Sequence, residues 1–322
     1  MPDANNDPLT TVGSALAELI GSPTAPLLLA VSGGPDSMAM LDIVRRCWAG
    51  PVFVATVDHR LRPESADEAA IVAGYCAGIG VPHAILYPDV PITGSVQSAA
   101  RAVRYRLLEQ EAARCGATFI VTAHHGDDQL ETMLMRLARG SGIDGLAGVR
   151  ARNGRVVRPL LGLRKADLVQ HCAIHAIPFV QDPSNANTDF DRVRIRSALQ
   201  GFALIDPLQA ARSAAALAEA VDALDWIVGQ EAESAITIKA GTAELAPNLY
   251  PAAVLRRLVL RCLEHVQPGI APRGDGLGRV IDTLQKGGQT MIGDVLCNGG
   301  ESWRFAPAPP RRKPFDARAT TE

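Results

Sequence analysis

Residues 27–37 read Leu27-Leu28-Leu29-Ala30-Val31-Ser32-Gly33-Gly34-Pro35-Asp36-Ser37. Five apolar residues bounded by turn formers are too short for a buried helix and predict a central parallel strand. The residues that follow, Asp36 to Val44, have helical spacing. The serines and glycines therefore sit between the C-terminal end of a strand and the N-terminus of a helix, where an α/β sheet binds phosphate. Gly33 and Gly34 carry no side chain, so their N–H groups can curl around anionic oxygens. Ser32 and Ser37 add hydroxyls, and the helix dipole adds partial positive charge. The Gly-Lys-Ser/Thr of a Walker loop is absent, which argues against phosphoryl transfer held by a P-loop lysine.

Outward from this loop, strand and helix patterns alternate. Strands are expected at Leu27–Val31, Val52–Val57, Ala84–Leu86 and Thr118–Thr122. Helices are expected at Val12–Ile20, Ser37–Cys47, Ser65–Gly78, Val96–Arg114 and Asp127–Arg139. That order predicts an α/β fold, a parallel sheet with helices on both faces, whose right-handed crossovers gather the loops after each strand on one edge. Residues 1–24 read as a leader with a short helix and 25–207 as the catalytic domain. Residues 208–306 read as a smaller, mainly helical domain, with helices at 208–235, Pro251–Glu264 and Asp275–Gln285. A closing hairpin is expected from Thr290–Cys297, Asn298-Gly299-Gly300 and Ser302–Phe305. Residues 307–322 read as a flexible tail.

Composition narrows the function. A net charge of −2 over 322 residues excludes a globally basic coat. The six cysteines form no C-x-x-C pair, which suits buried thiols in a reducing compartment. The N-terminus has no secretion signal, and no stretch approaches the roughly 18 apolar residues of a membrane span. The expectation is a soluble, cytoplasmic protein with no membrane partner.

Three further loops fall on the expected functional edge. The second strand ends in Val57-Asp58-His59-Arg60-Leu61-Arg62. Asp58 and His59 could meet a nucleotide there or cap a turn. Arg101 and Arg104 share a helical face; they could hold phosphate or a base edge, or pair with Glu109 or Glu111. The fourth strand leads into His124-His125-Gly126-Asp127-Asp128-Gln129-Leu130-Glu131-Thr132. Carboxylates at a helix start are favoured by the dipole alone, but this density exceeds what capping requires. Oxygen ligands suit Mg²⁺ bridging phosphates, and spare acidic groups could hold an ammonium substrate. No cysteine or third histidine is placed to complete a zinc site. Six basic residues, Arg150, Arg152, Arg155, Arg158, Arg164 and Lys165, have no acidic residue among them, and Arg192, Arg194 and Arg196 follow Asp182-Pro183-Ser184-Asn185. Such segregated charge is expected of a phosphodiester-binding face.

The loop at 32–37 resembles the pyrophosphate-binding loop of the N-type ATP pyrophosphatase (PP-loop, adenine nucleotide alpha hydrolase-like) superfamily. Together with 57–62, 100–105, 124–132, Arg158-Pro159-Leu160-Leu161 and 182–196 in that order, it resembles the tRNA(Ile)-lysidine synthetase family over about residues 25–200. The resemblance implies a ligase that joins free L-lysine to C2 of the wobble cytidine of a CAU-anticodon isoleucine tRNA. The reaction runs through an adenylated cytidine, and the product reads AUA instead of AUG. It implies ATP as co-substrate and Mg²⁺ as cofactor. Ser32, Gly33, Gly34, Pro35, Asp36 and Ser37 would hold ATP with Asp58 and His59, and Asp36, Asp127 and Asp128 would hold metal. Asp36, Arg101, His124, Asp128, Glu131, Arg192 and Arg196 would serve the reaction, with Asp127, Asp128 and Glu131 shared between Mg²⁺ and the lysine ammonium. The C-terminal region would bind tRNA, and a homodimer is compatible with the family. The alternatives are a tRNA thiolase, which would use cysteines, a small-molecule amide ligase, which would not need the arginine runs, and a non-enzymatic nucleotide-binding module.

Overall fold

The computed structural model describes residues 7–60, 65–89, 96–180, 191–199, 204–272 and 274–309. Leu61, Arg62, the Asp182–Asn185 motif and most of the tail lie outside the described residues. The chain divides into two compact units, 1–219 and 220–322, with the division inside a helix.

In the first unit, α1 (Pro8–Ile20) is capped by Asp7, whose carboxylate accepts from the Leu9 and Thr10 amides. Then come β1 (Leu27–Ala30), α2 (Pro35–Cys47), β2 (Val52–Val57), α3 (Ser65–Gly78), β3 (His83–Leu86), α4 (Val96–Cys115), β4 (Phe119–Thr122), α5 (Gly126–Leu137) and the single turn α6 (Ile143–Leu146). A ribbon, β5 (Arg152–Asn153) and β6 (Val156–Val157), leads into a 3₁₀ turn at Pro159–Gly162, then α7 (Lys165–Ile174), α8 (Asp191–Leu199) and the start of α9 (Pro207–Ala235). The sheet order is β3-β2-β1-β4-β6-β5, parallel except for β5.

β1 is central and buried on both faces. Leu27 and Leu29 pack with Val12 and Leu16 of α1, Met38 and Leu41 of α2 and Leu168 of α7, whereas Leu28 packs with Leu108 and Ala112 of α4. The two-residue alternation of a strand thus requires helices on both sides, which is why LLLAV is continuously apolar. The chain turns to opposite sides of β1 on leaving it for β2 and on reaching β4, so a crevice opens beyond their C-terminal ends. The elements expected at 12–139 stand within a few residues of their expected bounds. The ribbon β5–β6 has two residues per strand, too few for any periodicity to register.

α7 is locked to α2 through Asp42. This fully buried carboxylate accepts from Arg46 Nε at 2.7 Å and from Tyr75 Oη at 3.3 Å, and lies 2.9 Å from His171 Nε2. Burial alone would raise its pKa, but His171 and Arg46 outweigh that and hold it below the usual carboxylate range. His175 lies beside His171 with ring centroids 4.4 Å apart and the rings tilted by 56°. The three side chains could converge on a cation, yet guanidinium on the carboxylate makes this an ion-paired helix junction.

The second unit holds the end of α9, β7 (Ile236–Lys239), β8 (Thr242–Leu245), α10 (Ala252–Val266), α11 (Gly276–Gln285), β9 (Gln289–Ile292), β10 (Val295–Asn298) and β11 (Trp303–Pro307). Its strands form one antiparallel sheet, β7-β8-β11-β10-β9. Ala243, Leu245, Val295, Cys297, Trp303 and Phe305 pack from the sheet against Leu258, Val259 and Cys262 of α10 and Leu284 of α11. The expected helices are present. The expected hairpin is larger than read: Gly293, at φ 56°, turns the 290–297 stretch back on itself, and β7–β8 extend the sheet.

Replacing Asp42 with alanine would remove the partner of buried His171 and leave the exposed Arg46 to water, so a loss of about 1–3 kcal/mol at pH 7 is expected in urea unfolding. A native carboxyl with a lowered pKa contributes fully above its unfolded value of about 4. The difference between wild type and Asp42→Ala should therefore narrow as pH falls through the lowered native value.

Candidate active site

The loop after β1 is shaped from within. Ser37 Oγ donates to the Gly34 carbonyl at 3.0 Å and accepts from the Ser32 amide at 3.1 Å, with the Ser32 hydroxyl 3.3 Å away. Gly33 has φ 88°, and a Cβ there would lie 3.4 Å from the Glu68 carbonyl and 3.5 Å from Val72. Only glycine takes this position without strain. Gly34 opens α2 with no side-chain cap, and Pro35 fills its first turn, where a missing N–H costs nothing. The first-turn amides of α2 have no partner within the helix.

From the other side of the crevice come β4 and α5. Gly126 donates to the Leu163 carbonyl at 2.9 Å, and a Cβ there would lie 3.1 Å from that oxygen. The glycine in His-His-Gly-Asp-Asp is therefore a close-approach residue that lets α5 start against the 3₁₀ turn. His125, fully buried, lies with Nε2 3.5 Å from both Asp36 Oδ2 and Asp128 Oδ2 and with Nδ1 3.5 Å from Asp127 Oδ2. Burial opposes its charge, but Asp127, Asp36 and Asp128 outweigh burial and push its pKa up to about 10. Burial likewise works against ionisation of Asp127 and Asp128. His125 and the Lys165 amide hold Asp127 below the usual carboxylate range, and His125 with Arg192 does so for Asp128. Asp36 Oδ1 is buried without a partner among the described residues.

His124 behaves in the opposite way. Burial, helped by Arg158, Arg101 and Arg192, pulls it down to about 4, so it is neutral at physiological pH; Nδ1 lies 3.0 Å from Thr122 Oγ1. Arg101 projects from α4, its guanidinium 5.0 Å from the Tyr105 ring centroid. The adjacent histidines therefore divide: one is a buried cation that gathers carboxylates, the other a neutral imidazole.

Glu131 has a setting the sequence did not suggest. Its buried carboxylate accepts from Arg192 Nε at 2.9 Å and from Arg196 Nε at 2.7 Å, and Arg196 adds a second bond at 3.2 Å. Arg192 also lies 3.6 Å from Asp128 Oδ1. Both oxygens of Glu131 are committed to guanidinium, so it orients α8, while Asp36, Asp127 and Asp128 are the carboxylates that share one locus.

Asp58 is buried and caps a turn, accepting from the Arg60 amide at 2.8 Å; Arg60 has φ 52° and lies over the Tyr87 ring at 4.3 Å. His59, lowered by burial and by Arg104, has a buried Nδ1 without a partner among the described residues. Several arginines of the run from Arg150 to Lys165 are also fastened to neighbouring segments. Arg152 donates to the Leu19 carbonyl, Arg155 to the Thr118 and Ala117 carbonyls and to Glu109, and Arg164 to Asp206. Buried Arg158 donates to the Arg150 carbonyl. These arginines cross-link the sheet edge. Lys165 differs: its amide donates to Asp127 Oδ2 at 2.8 Å and its Nζ lies 3.9 Å from Asp36 Oδ2. It reads in sequence as one cation among six, and only the packing of α7 brings it to the crevice.

Among the described residues no helix is long and apolar enough to cross a membrane. A family model described as a PP-loop domain matches residues 8–201. A tRNA(Ile)-lysidine synthase of Zymomonas mobilis is 41% identical over 315 residues, 95% of each chain. One from Novosphingobium aromaticivorans is 40% identical over 90% of this chain and 91% of its own length, and one from Methylobacterium nodulans 42% over 89% and 91%. A U34-tRNA thiolase structure from Methanococcus maripaludis, at 14% identity, aligns with a TM-score of 0.54 over 66% of this chain and 80% of its own, a likeness of fold.

Glu131→Gln should loosen α8, because a neutral amide cannot hold two guanidinium groups. Amide exchange across 191–199 is expected to quicken by about tenfold or more while that of β1 stays unchanged.

Proposed function

Since the chain belongs to the tRNA(Ile)-lysidine synthase family of PP-loop enzymes, we propose that it forms lysidine from ATP, free lysine and the CAU-anticodon isoleucine tRNA, in the cytoplasm. What carries this reading is the extent of the identity. About 40% identity runs over 90% or more of the chain in two relatives of that name, so the second unit is included along with the loops of the first.

The chemistry fits the crevice. A base carbonyl oxygen is a poor leaving group until adenylated. The C2 oxygen of cytidine attacks the α-phosphorus, the bond to the bridging oxygen of pyrophosphate breaks, and pyrophosphate departs with its electrons. The lysine ε-amine then attacks C2, AMP leaves with the oxygen, and the amine gives up a proton. The amides of Gly33, Gly34 and the first turn of α2, with the hydroxyls of Ser32 and Ser37, offer donors to pyrophosphate before and after cleavage. Asp36, Asp127 and Asp128 suit Mg²⁺, a hard cation that takes oxygen ligands, and the orphaned Asp36 Oδ1 is a free donor for it. Bound there, the ion would neutralise phosphate charge. The same carboxylates could attract the lysine ammonium. Neutral His124 offers a ring nitrogen to the base, Asp58 and His59 flank the nucleotide, and Arg101, Arg192 and Arg196 supply guanidinium for the adenylate phosphate, the last two held by Glu131.

Radiolabelled lysine with ATP should label the CAU-anticodon isoleucine tRNA and leave the elongator methionine tRNA unlabelled. No label on the isoleucine tRNA would sink the assignment, and equal label on both would remove the discrimination. Asp128→Ala should lower kcat/KM by about a hundredfold or more.

A further inference from the structure

The loop after β1 lacks the lysine with which Walker loops meet the β- and γ-phosphates. A lysine nevertheless arrives at the same place from elsewhere in the chain. Lys165 is the first residue of α7 (Lys165–Ile174), a helix held by three contacts of different kinds, one at its start and two toward its C-terminal end. The Lys165 amide bonds to Asp127, the Cys172 thiol donates to the Pro35 carbonyl at 3.4 Å, and His171 meets Asp42 on α2. The position of the Lys165 backbone is therefore tied to both sides of the crevice. Its side chain remains one-third exposed, and the ammonium stands 3.9 Å from Asp36 Oδ2, beyond hydrogen-bond length. Its neighbour Arg164 is taken by a two-point contact with Asp206.

We propose that Lys165 is a phosphate ligand of this site, its ammonium passing from Asp36 to the β- or γ-phosphate when ATP binds and staying with pyrophosphate as it leaves. A compact point charge on a flexible four-carbon stem suits such a move better than a guanidinium fixed in a fork. The move also frees Asp36. With the ammonium on phosphate, Asp36 keeps His125 beside Oδ2 and offers Oδ1 to a cation, so the negative phosphates and the carboxylate stop competing for one ammonium. Lys165 thus supplies from a distant helix what the loop sequence omits. The inference rests on the reading of the crevice as an ATP site and needs no assumption about lysine or tRNA.

The test compares the wild-type chain with Lys165→Met, Lys165→Gln and Lys165→Arg. Binding of inorganic pyrophosphate and of ATP is measured by calorimetry without tRNA, and KM values for ATP and tRNA are measured in the labelling assay. Loss of one charge-assisted contact should weaken pyrophosphate binding and raise the KM for ATP by about tenfold or more in the Met and Gln variants. The KM for tRNA should stay within about twofold and the melting temperature unchanged, with Lys165→Arg restoring most of the affinity. Unchanged pyrophosphate binding in the Met and Gln variants would overturn the proposal. So would a loss that Lys165→Arg does not recover and that extends equally to tRNA, since that marks a structural role. Wild-type protein that binds pyrophosphate but labels no tRNA would fail the lysidine reading and leave this inference standing.

Discussion

The first unit depends on the burial of β1 from both sides. Leu28 faces one core while Leu27 and Leu29 face another, and no exposed face is left to the strand. Burying a side chain of this size contributes about 2 kcal/mol, so uncovering either face costs several leucines' worth of stability. α1, α2 and α7 must lie on one side and α4 on the other. Right-handed crossovers then fix where every loop emerges. The crevice between β1 and β4 follows from that coverage, because it lies where successive connections part to opposite sides.

Into this crevice the fold drives charge that would not assemble in water. Asp36 comes from the start of α2, and Asp127 and Asp128 from the start of α5. Three carboxylates this close would repel one another without His125, which is buried among them and held protonated by them. The helix N-termini contribute partial positive charge to the same balance. Glu131 is kept out of this group by Arg192 and Arg196, which fill both its oxygens and bring α8 against α5. The acidic cluster thus separates into a part with open donor capacity and a part spent on positioning.

Asp42 and His171 do comparable work behind the site. They hold α7 to α2, and through α7 they set where Lys165 stands relative to the loop. The arginines between 150 and 164 serve the same end of rigidity, tying the β5–β6 ribbon, α4 and the start of α9 together through backbone carbonyls and carboxylates. These arginines are fastened to neighbouring segments while Arg152, Arg155 and Arg164 keep exposed side chains.

The sequence by itself determined the strand–loop–helix unit at 27–47, the parallel sheet, the gathering of the loops at 32–37, 57–60 and 124–131 on one edge, and the family. These are local matters: apolar runs, glycines at left-handed or crowded positions, and carboxylates at helix starts leave their mark within about ten residues. Tertiary structure alone decided which of those residues meet. The division of His124 and His125 into a neutral and a charged imidazole depends on burial and on partners from other segments. The capture of Glu131 by arginines more than 60 residues away, the recruitment of Lys165, and the turning of the 290–297 stretch into two strands of a five-stranded sheet are likewise non-local. A one-dimensional pattern records what each residue prefers. The pKa of a buried group and the partner of a guanidinium are set by distances between segments, which exist only once both faces of β1 are covered.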